Sequence, residues 1–188
     1  MAYPFEDNIK LVYFDLGGVL FDFYPSIESL AILADADVNQ VFNFWAKHDE
    51  RMCKGLMPVE DFWFKFCDEF EFAYEGKFNF NDFWVKGFIE NSEANSLFKK
   101  ISKDYQVGIL SNIYPGVFEY LKHRSLIPVI DNMTVVLSCE HGFVKPENEL
   151  YEIAELIGGY APNEIALIDD NDSNLTVASE RGWSVYKF

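Results

Sequence analysis

Apolar and polar positions follow two different rhythms along this chain. Short runs of aliphatic, β-branched and aromatic residues recur at 11–14, 105–110, 133–137, 164–168 and 184–188. Each is too short for several helical turns, and most end on Gly, Asp, Ser or Asn. That pattern predicts strands buried on both faces, the kind found in parallel sheets. Between them, apolar residues fall at helical spacing over 92–101, 115–122, 147–157 and from 170 to about 180. In the third of these, Leu150, Ile153, Ala154 and Ile157 form one face and Gly158-Gly159 ends it. Strand and helix in alternation predict an α/β fold with a doubly wound parallel sheet.

One stretch breaks the alternation. From Phe23 to about Ile89 the spacing is helical throughout, with starts near Pro25, Asn39, Pro58 and Phe80. Between Val41 and Phe88 lie 15 of the chain's 33 aromatic residues. A small helical unit has little volume for its surface, so bulky rings are an economical core. The same rings could instead form an aromatic ligand box. The expected organisation is a core made of 1–22 and 90–188, interrupted by a helical insertion over 23–89.

Composition narrows the partners. The 188 residues carry 15 Lys+Arg against 31 Asp+Glu, a net charge of −16. Such a field repels nucleic acid and anionic membrane, and neither is an expected partner. It also repels phosphorylated small molecules unless a local cation, lysine or helix N-terminus offsets it. Cys53, Cys67 and Cys139 lack metal-site spacing and read as reduced thiols, which with the absence of a signal-peptide pattern predicts a cytoplasmic protein. No stretch approaches the roughly 18 apolar residues of a membrane span. His48, His123 and His141 have no ligand spacing.

Polar clusters sit where the strands stop. Asp15 follows 11–14 and precedes Gly17-Gly18, Ser111-Asn112 follows 105–110, and Asp169-Asp170 follows 164–168. Lys145-Pro146 comes after the third strand and before a helix. Taken singly, these read as helix caps, turns or a solvated lysine. In a parallel sheet, however, the C-terminal strand ends share one edge, where ligands bind. Three carboxylates there are costly without a cation, and hard oxygen donors without His or Cys favour Mg²⁺. Ser111, the amides after it and Lys145 suit phosphate oxygens, and Asp15 suits nucleophilic attack.

Asp15-Leu-Gly-Gly-Val, Leu-Ser111-Asn112, Lys145-Pro146 and Ile-Asp169-Asp170-Asn-Asp-Ser-Asn174 resemble, in order, the four motifs of the haloacid dehalogenase-like (HAD) hydrolases. The resemblance covers the chain outside 23–89 and implies that this stretch is a cap over the substrate pocket. It implies Asp15 as nucleophile, Ser111, Asn112 and Lys145 as phosphate-binding residues, and Asp15, the Gly17 carbonyl, Asp169 and Asp170 as the Mg²⁺ site, with Asp170 the direct ligand. The implied activity is a Mg²⁺-dependent phosphatase of small phosphorylated metabolites, with sugar phosphates a candidate class. One position departs from the pattern. Most phosphatases of the family carry a second Asp, the general acid/base, where this chain has Gly17, and Asp22 is a conceivable substitute. The alternatives are a metal-independent 2-haloacid dehalogenase and a catalytically degenerate phosphate-binding protein.

Overall fold

A computed structural model describes residues 5–74, 77–128 and 130–188. In chain order the elements are β1 (Leu11–Phe14), β2 (Phe21–Asp22), α1 (Tyr24–Leu33), α2 (Val38–Cys53), α3 (Val59–Glu69), α4 (Phe80–Lys86), β3 (Ile89–Glu90), α5 (Ser92–Ile101), β4 (Gln106–Ser111), α6 (Val117–His123), β5 (Thr134–Leu137), α7 (Ser138–His141), α8 (Asn148–Gly158), β6 (Ile165–Asp169), α9 (Asp172–Glu180) and β7 (Ser184–Lys187).

Five strands form a parallel sheet in the order β5-β4-β1-β6-β7. All four residues of β1 are fully buried, and its side chains divide by parity. Val12 and Phe14 face the larger core, where Phe14 meets Phe98 with ring centroids 4.8 Å apart. Leu11 and Tyr13 face a second core with Tyr151 and Trp183, and the Tyr13 hydroxyl donates to the Ala154 carbonyl at 2.8 Å. Burying each such ring is worth about 1.5–3 kcal/mol. Beside Tyr13, β4 carries Gly108, where an added Cβ would lie 2.7 Å from the tyrosine ring. Only a glycine lets these strands pair at that point.

The register decides which residues meet. Phe14 pairs with Ile109 on one side and Ile168 on the other. One residue further, the Asp15 N–H donates to the Ile168 carbonyl at 2.9 Å, so Asp15 lies level with Asp169. The strand ends expected to share an edge do share it.

Helices α1 to α4 occupy 24–86 and pack mainly through rings. Phe44 lies 5.6 Å from Phe62, and Trp63 stacks on Phe78 at 3.6 Å. The sequence pattern did not disclose the antiparallel ribbon of β2 with β3, two residues each, at which the chain leaves the sheet and returns. Two-residue strands carry too little periodicity to be read. Helix α6 begins at Val117 rather than Pro115, because Gly116 takes a left-handed φ of 81° and ends a turn there. These helices are fastened to the sheet side of the molecule. Lys54 pairs with Glu147 at 2.8 Å, and the Ser138 hydroxyl donates to the Cys53 carbonyl at 2.6 Å. The Asn81 amide donates to the Pro115 carbonyl at 3.0 Å.

Candidate active site

Asp15 is 8% exposed at the end of β1, and its environment is built by the residue after it, the end of β6 and the loop before α8. The Leu16 N–H donates to its Oδ1 at 2.7 Å, and Lys145 Nζ lies 3.0 Å from its Oδ2. The same ammonium lies 2.5 Å from Asp169 Oδ2. Asn174 and the Asn171 N–H also donate to Asp169, so both oxygens of this fully buried carboxylate are engaged within the protein. Asp169 is thereby the group that aims Lys145.

Lys145 is held from its backbone as well. Its N–H donates to Asn112 Oδ1 at 2.8 Å, and Asn112 Nδ2 donates back to its carbonyl at 2.9 Å. The Asn112 side-chain amide is therefore committed to the Lys145 loop, and the expected role of Asn112 in phosphate binding falls to its backbone N–H. Ser111 is buried at the end of β4, its hydroxyl 3.4 Å from the Asn112 carbonyl. The Ile113 N–H is taken by Ser138 Oγ at 2.9 Å, which removes it from any ligand.

Electrostatics follow from one cation among three acids. Burial is the largest influence on Asp15 and raises its carboxyl to about 6, against the pull of Lys145. Burial draws Lys145 down, but Asp15 and Asp169 outweigh it and the ammonium is held above its ordinary value. Asp170 forms no salt bridge among the described residues, and its carboxyl is raised by burial and then by Asp169. Oxygens of Asp15, Asp169 and Asp170 lie within 4.8 Å of one another. Lys145 compensates one of these charges. The hard oxygen donors and the residual negative charge fit a divalent cation such as Mg²⁺. Gly18 keeps Asp170 in place: its φ is +82°, and a Cβ there would lie 2.2 Å from Asp170 Oδ2.

Above Asp15 lies a cavity of about 290 Å³. Its floor holds Asp15, Ser111, Asn112 and Asp170, and its roof includes Phe23, Trp45, Asp49 and Trp84. Most aromatics of 23–89 are core, as expected, yet a few turn their faces to this space. Asp22 does not reach it. Its Oδ1 accepts the Tyr24 N–H at 2.8 Å at the start of α1, and it lines a separate surface hollow. Sequence reasoning missed Asp49, whose only signal was its i, i+4 spacing with Trp45 and Cys53 on α2. Nothing local says which way that face looks.

No family model matches the chain, and no curated protein matches it. Solved structures do. The magnesium complex of HAD family enzyme BT-2542 from Bacteroides thetaiotaomicron superposes with a TM-score of 0.79 and 25% identity, over 97% of this chain and 94% of that one. A HAD phosphatase from Thermococcus onnurineus gives a TM-score of 0.69 at 17% identity, over 96% and 86%. An L-2-haloacid dehalogenase gives 0.71 at 17% identity, over 94% and 82%. Fold, strand-end order and the 25% identical BT-2542 structure place the chain in the HAD superfamily.

Proposed function

We propose that this chain is a Mg²⁺-dependent phosphatase acting on small phosphorylated metabolites, with 23–89 as a helical cap over the site. One observation carries the choice. Asp170 has no ion pair among the described residues and stands beside two carboxylates that share a single ammonium, an excess of negative charge that a phosphate could not approach without a cation. Dehalogenation leaves an alkyl ester and a halide and has no use for that third acid.

Asp15, the Gly17 carbonyl and Asp170 would hold the metal, with Asp169 acting through Lys145. When bound, Mg²⁺ supplies the charge neutralisation that phosphoryl transfer requires. Asp15 attacks phosphorus in line, the bond from phosphorus to the ester oxygen breaks, and an aspartyl-phosphate results. Lys145, the Ser111 hydroxyl and the Asn112 backbone N–H hold the remaining phosphate oxygens. Water then attacks the aspartyl-phosphate, releasing phosphate and restoring Asp15. Sugar phosphates are the favoured substrate class, because the roof offers flat aromatic faces and one carboxylate.

The dehalogenase reading is supported by the dehalogenase neighbour and by the missing carboxyl at Gly17. A single comparison separates them: phosphate release from an aryl phosphate and halide release from 2-chloropropionate, each with and without EDTA. Phosphate release abolished by EDTA supports the phosphatase. Halide release indifferent to EDTA would replace it.

A further inference from the structure

Asp49 projects from α2 into the cavity above Asp15, on the side where a phosphate ester's leaving group would lie. Its Oδ1 accepts the Tyr114 hydroxyl at 2.6 Å, and Cys53 Sγ lies 3.7 Å away. Tyr114 in turn receives the indole N–H of Trp45 at 2.6 Å. Indole nitrogen is a donor only, so this chain has one direction: Trp45 donates to Tyr114, and Tyr114 must donate to Asp49. Oδ1 is thereby consumed and the carboxyl plane fixed. Oδ2 has no hydrogen-bond partner among the described residues. Asp49 is only half-buried, so Oδ2 is open to whatever occupies the cavity.

The walls around it are apolar and flat. Phe23, Trp45, Trp84 and Phe88 line the same cavity, and the two indoles stack at 6.3 Å with an interplanar angle of 28°. Apolar faces with one fixed acceptor suit a leaving group that presents C–H surfaces and hydroxyls. An ammonium group would have to share this carboxyl with Tyr114 and Cys53, which already occupy one of its oxygens. A hydroxyl can donate to Oδ2 when the carboxyl is ionised and accept from it when it is not.

We infer that Asp49, fixed by Tyr114 and Trp45, is the specificity residue for the leaving group, reading a hydroxyl of a polyhydroxylated, sugar-like phosphate through Oδ2. This rests on the phosphatase reading. It assigns Asp49 to substrate recognition and leaves proton donation elsewhere.

The test compares kcat/KM for wild type and Asp49→Asn on inositol monophosphate, cyclohexyl phosphate, ethanolamine phosphate and aryl phosphates of graded leaving-group acidity. Asn keeps an acceptor for Tyr114 but turns a donor toward the pocket. The expected result is a loss for inositol monophosphate about 10- to 100-fold greater than for cyclohexyl phosphate. Tyr114→Phe, which frees Asp49 to rotate, should give part of the same selective loss. An equal loss on the two ring phosphates would overturn the inference. So would a loss that tracks leaving-group acidity among the aryl esters, which would make Asp49 the proton donor, or one greatest for ethanolamine phosphate. If wild type hydrolyses none of these esters, the phosphatase reading itself has failed. Calorimetric binding of inositol monophosphate against cyclohexyl phosphate to both proteins then decides the subsite: a preference lost in Asp49→Asn upholds it, and no preference overturns it.

Discussion

The ring of Phe23 packs close over Gly17: a Cβ built on Gly17 comes 3.1 Å from Phe23 Cδ1, so the ring must give way slightly to admit a side chain there. The missing acid and the packed ring are two sides of one arrangement. A positioned general acid contributes about 10²–10⁴-fold, most when the leaving group is poor. Wild type should therefore hydrolyse aryl, acyl and anomeric phosphates faster than primary alkyl phosphates. Gly17→Asp alone should recover little of the gap, and Gly17→Asp with Phe23→Leu more. The measurement is kcat/KM against leaving-group pKa for all three proteins. A flat dependence in wild type would mean that another group already supplies the proton.

Removing the shared cation should be severe. Lys145→Met leaves Asp15 and Asp169 buried side by side without an ammonium, and breaking a buried pair in this way costs about 3–5 kcal/mol. At roughly 2–4 °C per kcal/mol for a chain of this size, the melting temperature should fall by about 6–20 °C. Phosphatase activity should vanish with it. Adding Asp169→Asn should restore part of the stability and none of the activity, as thermal melts and phosphate assays would register. A double variant no more stable than Lys145→Met would show that Asp169 is not the group left uncompensated.

Gly18 offers a test that replaces no charged residue. Gly18→Ala places a methyl 2.2 Å from the present position of Asp170 Oδ2, in a backbone conformation that L-residues rarely adopt. Asp170 must swing away, so Mg²⁺ affinity measured by calorimetry should drop at least about tenfold, while the parallel sheet, monitored by circular dichroism, stays intact. Unchanged affinity would remove Asp170 from the ligand set.

The pH profile should depend on the metal. Asp15 attacks only as a carboxylate, and burial raises it to about 6. Activity is therefore present above that value and lost as pH falls through it. A bound dication favours the ionised form, so the acid limb of kcat/KM should shift to lower pH as Mg²⁺ rises. A limb that stays put across Mg²⁺ concentrations would place the metal away from Asp15.

The sheet and its polar edge were legible in the sequence because both rest on local signals: mainly apolar four- to six-residue runs, four of them followed directly by Asp or Ser. Asp15, Ser111 and Asp169 needed no tertiary information beyond parallel pairing. Three features needed more. The ribbon of β2 and β3 is two residues long on each side, so its pairing was invisible. The commitment of Asn112 to Lys145 joins positions 33 residues apart through one side chain. The Trp45, Tyr114 and Asp49 chain crosses from α2 to the loop before α6, and the direction of its helix face is set by packing alone.

The most direct test of Asp15 as a metal-assisted nucleophile is the initial rate of phosphate release from an activated aryl phosphate by wild type and Asp15→Asn, in Mg²⁺ and in EDTA. Asn is nearly isosteric, and Lys145 keeps Asp169 as a partner at 2.5 Å, so the fold should survive the change. Turnover is expected in wild type with Mg²⁺, none with EDTA, and a loss of at least about 10³-fold in Asp15→Asn. An Asn variant that keeps more than a few per cent of wild-type turnover would contradict Asp15 as the nucleophile.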